Sequence, residues 1–134
     1  MAKILVFALL MLAVTHAQDA SRKTFISAGG TQLRVLVDAA ALGGTEVELA
    51  ELIFRPNSES AEHQHGVTET FYVLEGEMTQ VVNGKPIELG PGMATSIRQT
   101  DHVIHRAGPK GAKVLVIWAP GGEIARVTAR WKQQ

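Results

Sequence analysis

His63-Gln64-His65-Gly66-Val67-Thr68-Glu69, with the run Thr70-Phe71-Tyr72-Val73-Leu74-Glu75-Gly76 behind it, decides how this 134-residue chain is read. Two imidazoles two residues apart project from the same face of a strand. A carboxylate follows four positions after His65, and Gly66, Val67 and Thr68 between them can fold back as a short loop. Two nitrogen donors and one oxygen donor converging on a point suit a divalent first-row metal. Phe71 to Leu74 is apolar and β-rich, and Glu75-Gly76 reads as the turn that closes it. The expectation is a metal site built on strands.

Outward from this stretch the chain keeps a β rhythm. Leu33 to Val37 reads as a strand, Gly43-Gly44 as a turn, and Thr45 to Phe54 opens with polar/apolar alternation. Arg55 to Glu62, with Pro56, Asn57 and two serines, reads as a loop delivering the chain to His63. Downstream, Met78 to Val82 meets Asn83-Gly84, a strong hairpin signal. Leu89-Gly90-Pro91-Gly92 is a tight turn, Met93 to Ile97 a strand and Arg98 to Asp101 a polar loop. Val103 to Arg106 leads to an expected turn at Gly108-Pro109-Lys110-Gly111. Val114 to Trp118, the most apolar run of the domain, is expected to be a strand buried on both faces and ended by Pro120-Gly121-Gly122. No long helix is apparent. Short strands between turns at this spacing indicate an all-β sandwich or barrel.

The ends and the composition narrow the class. Lys3, the apolar run Ile4 to Val14 and the small residues of Thr15-His16-Ala17 make residues 1–17 an expected signal peptide, cut between Ala17 and Gln18. The alternative, a buried N-terminal helix, lacks a matching amphipathic pattern. The apolar run is short of the roughly 20 residues a membrane span needs. A periplasmic or secreted protein is expected, with residues 18–134 as a single domain whose core runs from about 45 to 120 and no membrane contact in the mature form. Thirteen basic residues balance thirteen acidic ones without a basic cluster, which argues against nucleic acid as a partner. The absence of cysteine excludes disulfides, thiolate metal sites and a cysteine nucleophile.

The motif His63-x-His65-x3-Glu69-x6-Gly76 resembles the first signature of the cupin superfamily. Gly84-Lys85-Pro86-Ile87-Glu88-Leu89-Gly90-Pro91-Gly92, followed by His105, resembles the second. The resemblance extends from about Arg55 to Pro120. Three positions depart from the family pattern: Asn57 where a glycine is usual, Met93 where an acidic residue often stands, and Pro109 where an asparagine is often found. The resemblance implies a double-stranded β-helix, the jelly-roll barrel of the cupins, with a metal inside one open end and, by analogy, a homodimer.

His63, His65 and Glu69 are the expected metal ligands. The fourth is His105, at the position of the family's last histidine, or His102, three residues earlier and on the opposite face of a regular strand. Asp101 is a candidate partner for orienting His102. Three nitrogens and one carboxylate leave coordination positions open, as in a reactive rather than a purely structural site. Mn, Fe, Ni, Cu, Co and Zn all suit such a donor set. Tyr72, Trp118 and Met93 are read as core, Arg106 as a surface ion-pair partner, and Gln80 and Thr95 as residues that could line the barrel. The leading functional reading is a metal-dependent enzyme (dioxygenase, oxidase, decarboxylase or isomerase) acting on a small organic molecule. The alternative is a protein that binds a metal or small ligand without turnover.

Overall fold

The structure, a computed structural model, describes residues 23–134. The expected signal peptide, with its cut between Ala17 and Gln18, lies outside the described residues. The elements are β1 (Thr24–Ile26), β2 (Gln32–Val37), α1 (Ala39–Leu42), β3 (Glu48–Phe54), β4 (Thr68–Val82), β5 (Lys85–Leu89), β6 (Ala94–Ile97), β7 (Val103–Ala119), α2 (Glu123–Thr128) and β8 (Lys132–Gln133). All pairings are antiparallel, in the order β5-β4-β7-β3-β2-β1-β8, with β6 on the free side of β4.

Two long strands organise the molecule. The first half of β4 (Glu69 to Tyr72) lies between β6 and the end of β7, and its second half (Met78 to Val82) lies between β5 and the start of β7. Each long strand thus serves two layers, which makes the jelly-roll sandwich expected from the sequence. Gly76 is not a turn. It is a bend inside β4, flanked by register shifts at Val73/Glu75 and Gly76/Met78. Gly108 to Gly111 likewise lies within β7 instead of ending it. Both bends need glycine: Gly76 and Gly111 have φ of 75° and 78°. A Cβ at Gly76 would collide with the Gly111 carbonyl oxygen, and one at Gly111 would lie 2.6 Å from that of Phe54.

The bends change which residues face inward. On β4 the buried side chains are Glu69, Phe71 and Val73 before Gly76, but Met78 and Gln80 after it. On β7 they are Val103, His105 and Ala107 before Gly111, but Val114, Val116 and Trp118 after it. Leu33, Leu52 and Phe54 complete the core from β2 and β3. Val114 to Trp118 is fully buried on one face only, since Leu115 and Ile117 are half-buried; this corrects the expectation of two buried faces. Tyr72 and Met93, expected in the core, are 41% and 50% exposed, because the pleat turns Tyr72 outward and Met93 sits in the turn before β6.

Local sequence explains the connections. Asn83 and Gly84 take positive φ in the β4–β5 hairpin, as the Asn-Gly pair requires. Asn57 also takes a positive φ, 56°, a region that glycine enters without cost and asparagine more readily than most residues. The two short helices had no signature in the sequence. Asp38 caps α1 by accepting from the Ala41 N–H, while the buried Glu48 accepts from the Ile124 N–H at the start of α2. Val127 and Trp131 then pack the C-terminal segment against the core. No helix among the described residues is long and apolar enough to cross a membrane.

Candidate metal centre

His63 and His65 do not sit on a regular strand, as expected, but on the irregular segment leading into β4. His63 makes a single antiparallel bridge to Val103, with N–H···O bonds of 3.0 and 2.9 Å in both directions. That bridge fixes the segment against the start of β7, two residues from His105. Ser60 strengthens the seam: its N–H donates to the His105 carbonyl and its Oγ accepts from the His105 N–H. Glu69 opens β4 and points into the barrel.

These elements bring three imidazoles together. The ring centroids of His63 lie 4.8 Å from those of His65 and 4.9 Å from those of His105, and one nitrogen from each ring falls within 4.8 Å of the others. Glu69 joins them: its Oε2 is 3.0 Å from His65 Nε2 and 3.5 Å from His105 Nε2. The residues expected to form the site therefore converge. His102 does not join them. Its side chain is more than half exposed, its Nδ1 lies 3.5 Å from Glu62, and its backbone N–H donates to Asn83. Asp101 accepts from Asn83 and the Arg98 N–H, so its carboxylate closes a loop instead of orienting His102.

The hydrogen bonds around the cluster select the free nitrogens. His63 Nδ1 donates to the Ala61 carbonyl at 2.9 Å, and His65 Nδ1 donates to Glu123 Oε1 at 3.1 Å. Each bond leaves the Nε2 lone pair available. Trp118 Nε1 donates to Glu69 Oε1 at 2.9 Å, which leaves Oε2 for the cluster. His65 Nε2 and Glu69 Oε2 face each other at 3.0 Å, and both are buried with no hydrogen-bond partner beyond that contact. Buried polar atoms are rarely left that way. Two ligands at right angles on one ion with bonds of about 2.1 Å sit about 3 Å apart, so these separations fit a shared metal.

Electrostatics agree with neutral donors at two of the rings. Burial, aided by the other two imidazoles, holds the His105 pKa well below the usual value. Burial also lowers that of His63. Burial pulls His65 the same way, but the carboxylates of Glu69 and Glu123 outweigh it and the net shift is upward. Phe71 stacks on the His105 ring at 4.9 Å and keeps that side of the site dry.

The cluster lines a cavity of about 430 Å³. Leu52, Phe54, Trp118, Val127 and Trp131 give it apolar walls, and Ser27, Thr31, Ser60 and Arg126 stand among its polar lining. A model of the cupin domain matches residues 50–118, just over half of the chain. The chain belongs to the cupin family. Its fold is shared by KdgF from Halomonas sp., with a TM-score of 0.62 at 17% identity over 72% of this chain and 84% of that one. An RmlC-like cupin from Shewanella frigidimarina gives 0.68 at 20% identity over 81% and 94%. The oxalate decarboxylase of Bacillus subtilis, a protein with Mn(II) centres, gives 0.68 at 16% identity; this cupin covers 29% of that chain, which covers 77% of this one. No curated protein matches the sequence.

Sequence reasoning missed two residues of this cupin's site. Trp118 was read as core alone; it is core, but its indole also fixes Glu69. Glu123 carried no signal, because nothing local marks a carboxylate on a short helix as bound for the interior. Gln80, named as a barrel residue, is fully buried opposite His105 in the β4–β7 ladder. Arg106 pairs with Glu59 at 2.6 Å on the surface, as expected.

Proposed function

We propose that this cupin holds a divalent transition metal on Nε2 of His63, His65 and His105 and on Oε2 of Glu69, and that it acts on a small organic molecule at the remaining coordination positions. The observation that carries this reading is the convergence of three imidazoles on the buried Glu69 Oε2, with His65 Nε2 and that oxygen facing each other at 3.0 Å and finding no further partner. When bound, the metal supplies Lewis-acid chemistry and a template for a chelating substrate. The chain's own residues hold and orient. Ala61 and Glu123 fix two of the rings, Trp118 fixes Glu69, and Phe71 excludes water beside His105. The apolar walls suit a molecule with a hydrophobic body and a polar end that reaches the imidazole cluster. The reaction class that fits is that of a metal-dependent oxidoreductase, decarboxylase or isomerase.

One observation favours the second reading, binding without turnover. Each acidic side chain lining the cavity is already engaged: Glu59 with Arg106, Glu69 with Trp118, and Glu123 with His65 and Arg126. No additional acid–base group is set apart for proton transfer among the described residues of the lining. Elemental analysis of the purified chain, then a substrate panel with that metal restored, separates the readings. Turnover supports the enzyme; stoichiometric ligand retention without product supports the binder. A chain that retains no metal refutes both.

The proposal includes export of a mature form beginning at Gln18, to be checked by mass spectrometry of protein from its native host. A retained Met1 refutes it. It also includes a homodimer, which light scattering reads directly.

A further inference from the structure

Glu123 lies outside the donor set, yet its carboxylate is the most heavily engaged at the site. It is 1% exposed and reaches the site from α2, 58 residues after His65. Its Oε1 accepts from His65 Nδ1 at 3.1 Å, both oxygens take the Gly66 N–H at 3.2 Å, and both take Arg126 Nε at 3.1 Å. The Arg126 guanidinium also reaches the Gln64 carbonyl. One carboxylate on a short helix therefore grips the ring of His65 and the peptide that follows it. Gly66 is what allows the approach: a Cβ there would lie 2.9 Å from Glu123 Oε2.

We infer that Glu123 is the positioning residue of the metal centre, fixing the Nδ1–H tautomer and the ring rotation of His65 so that its Nε2 lone pair faces the ion. The inference rests on the metal reading proposed above. Two features give it physical force. An imidazole free to rotate would divide its population between tautomers and orientations, of which only one ligates. A carboxylate on the far nitrogen also raises the basicity of the ligating one. The Gly66 and Arg126 contacts hold the carboxylate still, so that the His65 ring adapts to Glu123 and not the reverse.

The test uses the full mature chain, stripped with chelator, and Zn(II) as the probe in competition with a chromophoric chelator. Glu123→Ala should weaken Zn(II) binding on the order of 10- to 100-fold. Glu123→Gln, which keeps the shape and one acceptor, should fall between it and the wild type. The ¹⁵N spectrum of the His65 ring in the metal-free protein at pH 8 should show a protonated Nδ1 in the wild type and a shift toward the Nε2–H form, which Glu69 alone then holds, in Glu123→Ala. A merely structural role would not change that spectrum. Arg126→Ala, which removes the guanidinium from Glu123 and Gln64 but leaves the carboxylate on His65, should keep the wild-type tautomer. The inference is overturned if Glu123→Ala binds Zn(II) within twofold of the wild type, or if Glu123→Ala and Arg126→Ala lose affinity equally with the His65 spectrum unchanged. A wild-type chain that takes up no Zn(II) or Mn(II) overturns the metal reading itself, which the wild-type titration alone reveals.

Discussion

Trp118→Phe isolates a single buried contact on which both the core and the site depend. The indole is 1% exposed, and its Nε1 donates to Glu69 Oε1 at 2.9 Å. Phenylalanine keeps an aromatic ring in the same place but removes the donor, leaving a buried carboxylate oxygen unpaired. A hydrogen bond to a charged group is worth about 1.5–3 kcal/mol. The roughly 40 Å³ lost with the second ring adds about 1 kcal/mol at ~24 cal/mol per Å³ of cavity. The expected total is about 3 kcal/mol, a large share of the roughly 5–15 kcal/mol that holds a domain folded. The cavity part is separated from the hydrogen bond by a double-mutant cycle with Glu69→Ala, read by denaturant unfolding of the chelator-treated protein so that metal does not enter. The coupling should be on the order of 1.5–3 kcal/mol. A coupling below about 0.5 kcal/mol refutes the assigned contact, even if Trp118→Phe alone is destabilising.

Further outcomes follow from the same geometry. His105→Ala should weaken metal binding at least about 10-fold, the scale reached even by residues that only support ligands, whereas the exposed His102→Ala should leave it unchanged. A loss confined to His102→Ala overturns the ligand assignment. Metal affinity should fall on acidification from pH 8 to pH 5, because protons compete for the imidazoles, first at His65, whose pKa is raised; a competition titration giving a flat profile contradicts histidine ligation. In the metal-free protein, His63 and His105 are depressed below the ordinary value of 6.5, so the stability they contribute is present above that pH and lost as pH falls through their folded values. His65 has the opposite sign: its contribution is present below the ordinary value and lost as pH rises through its raised one. Gly76→Ala should cost more than the about 1–2 kcal/mol of a left-handed backbone alone, because its Cβ also meets the Gly111 carbonyl. Thermal unfolding near the wild-type midpoint would show that the two bends do not touch as described.

The sequence by itself determined whatever depends on neighbours along the chain. The spacing of His63, His65 and Glu69 marked the donor set, and Asn83-Gly84 marked the hairpin; the motifs around Gly76, Gly92 and His105 pointed to the family and hence to the jelly roll. The strands were legible for the same reason, since polar/apolar order within five or six residues reflects local pleating. Three features were decided only by tertiary structure. Inward-facing parity changes across Gly76 in β4 and across Gly111 in β7, so alternation could not say that Tyr72 faces out or that His105 and Trp118 both face in. A regular strand has one parity, and a bend pinned by a crossing strand resets it. His102 was excluded by the bridge between His63 and Val103, a contact between segments forty residues apart. Glu123 reaches His65 from 58 residues away, and its burial is set by how Glu48 holds the start of α2 and how Ile124 and Val127 pack that helix onto the core. Nothing near a residue in the chain encodes what lies across the barrel from it.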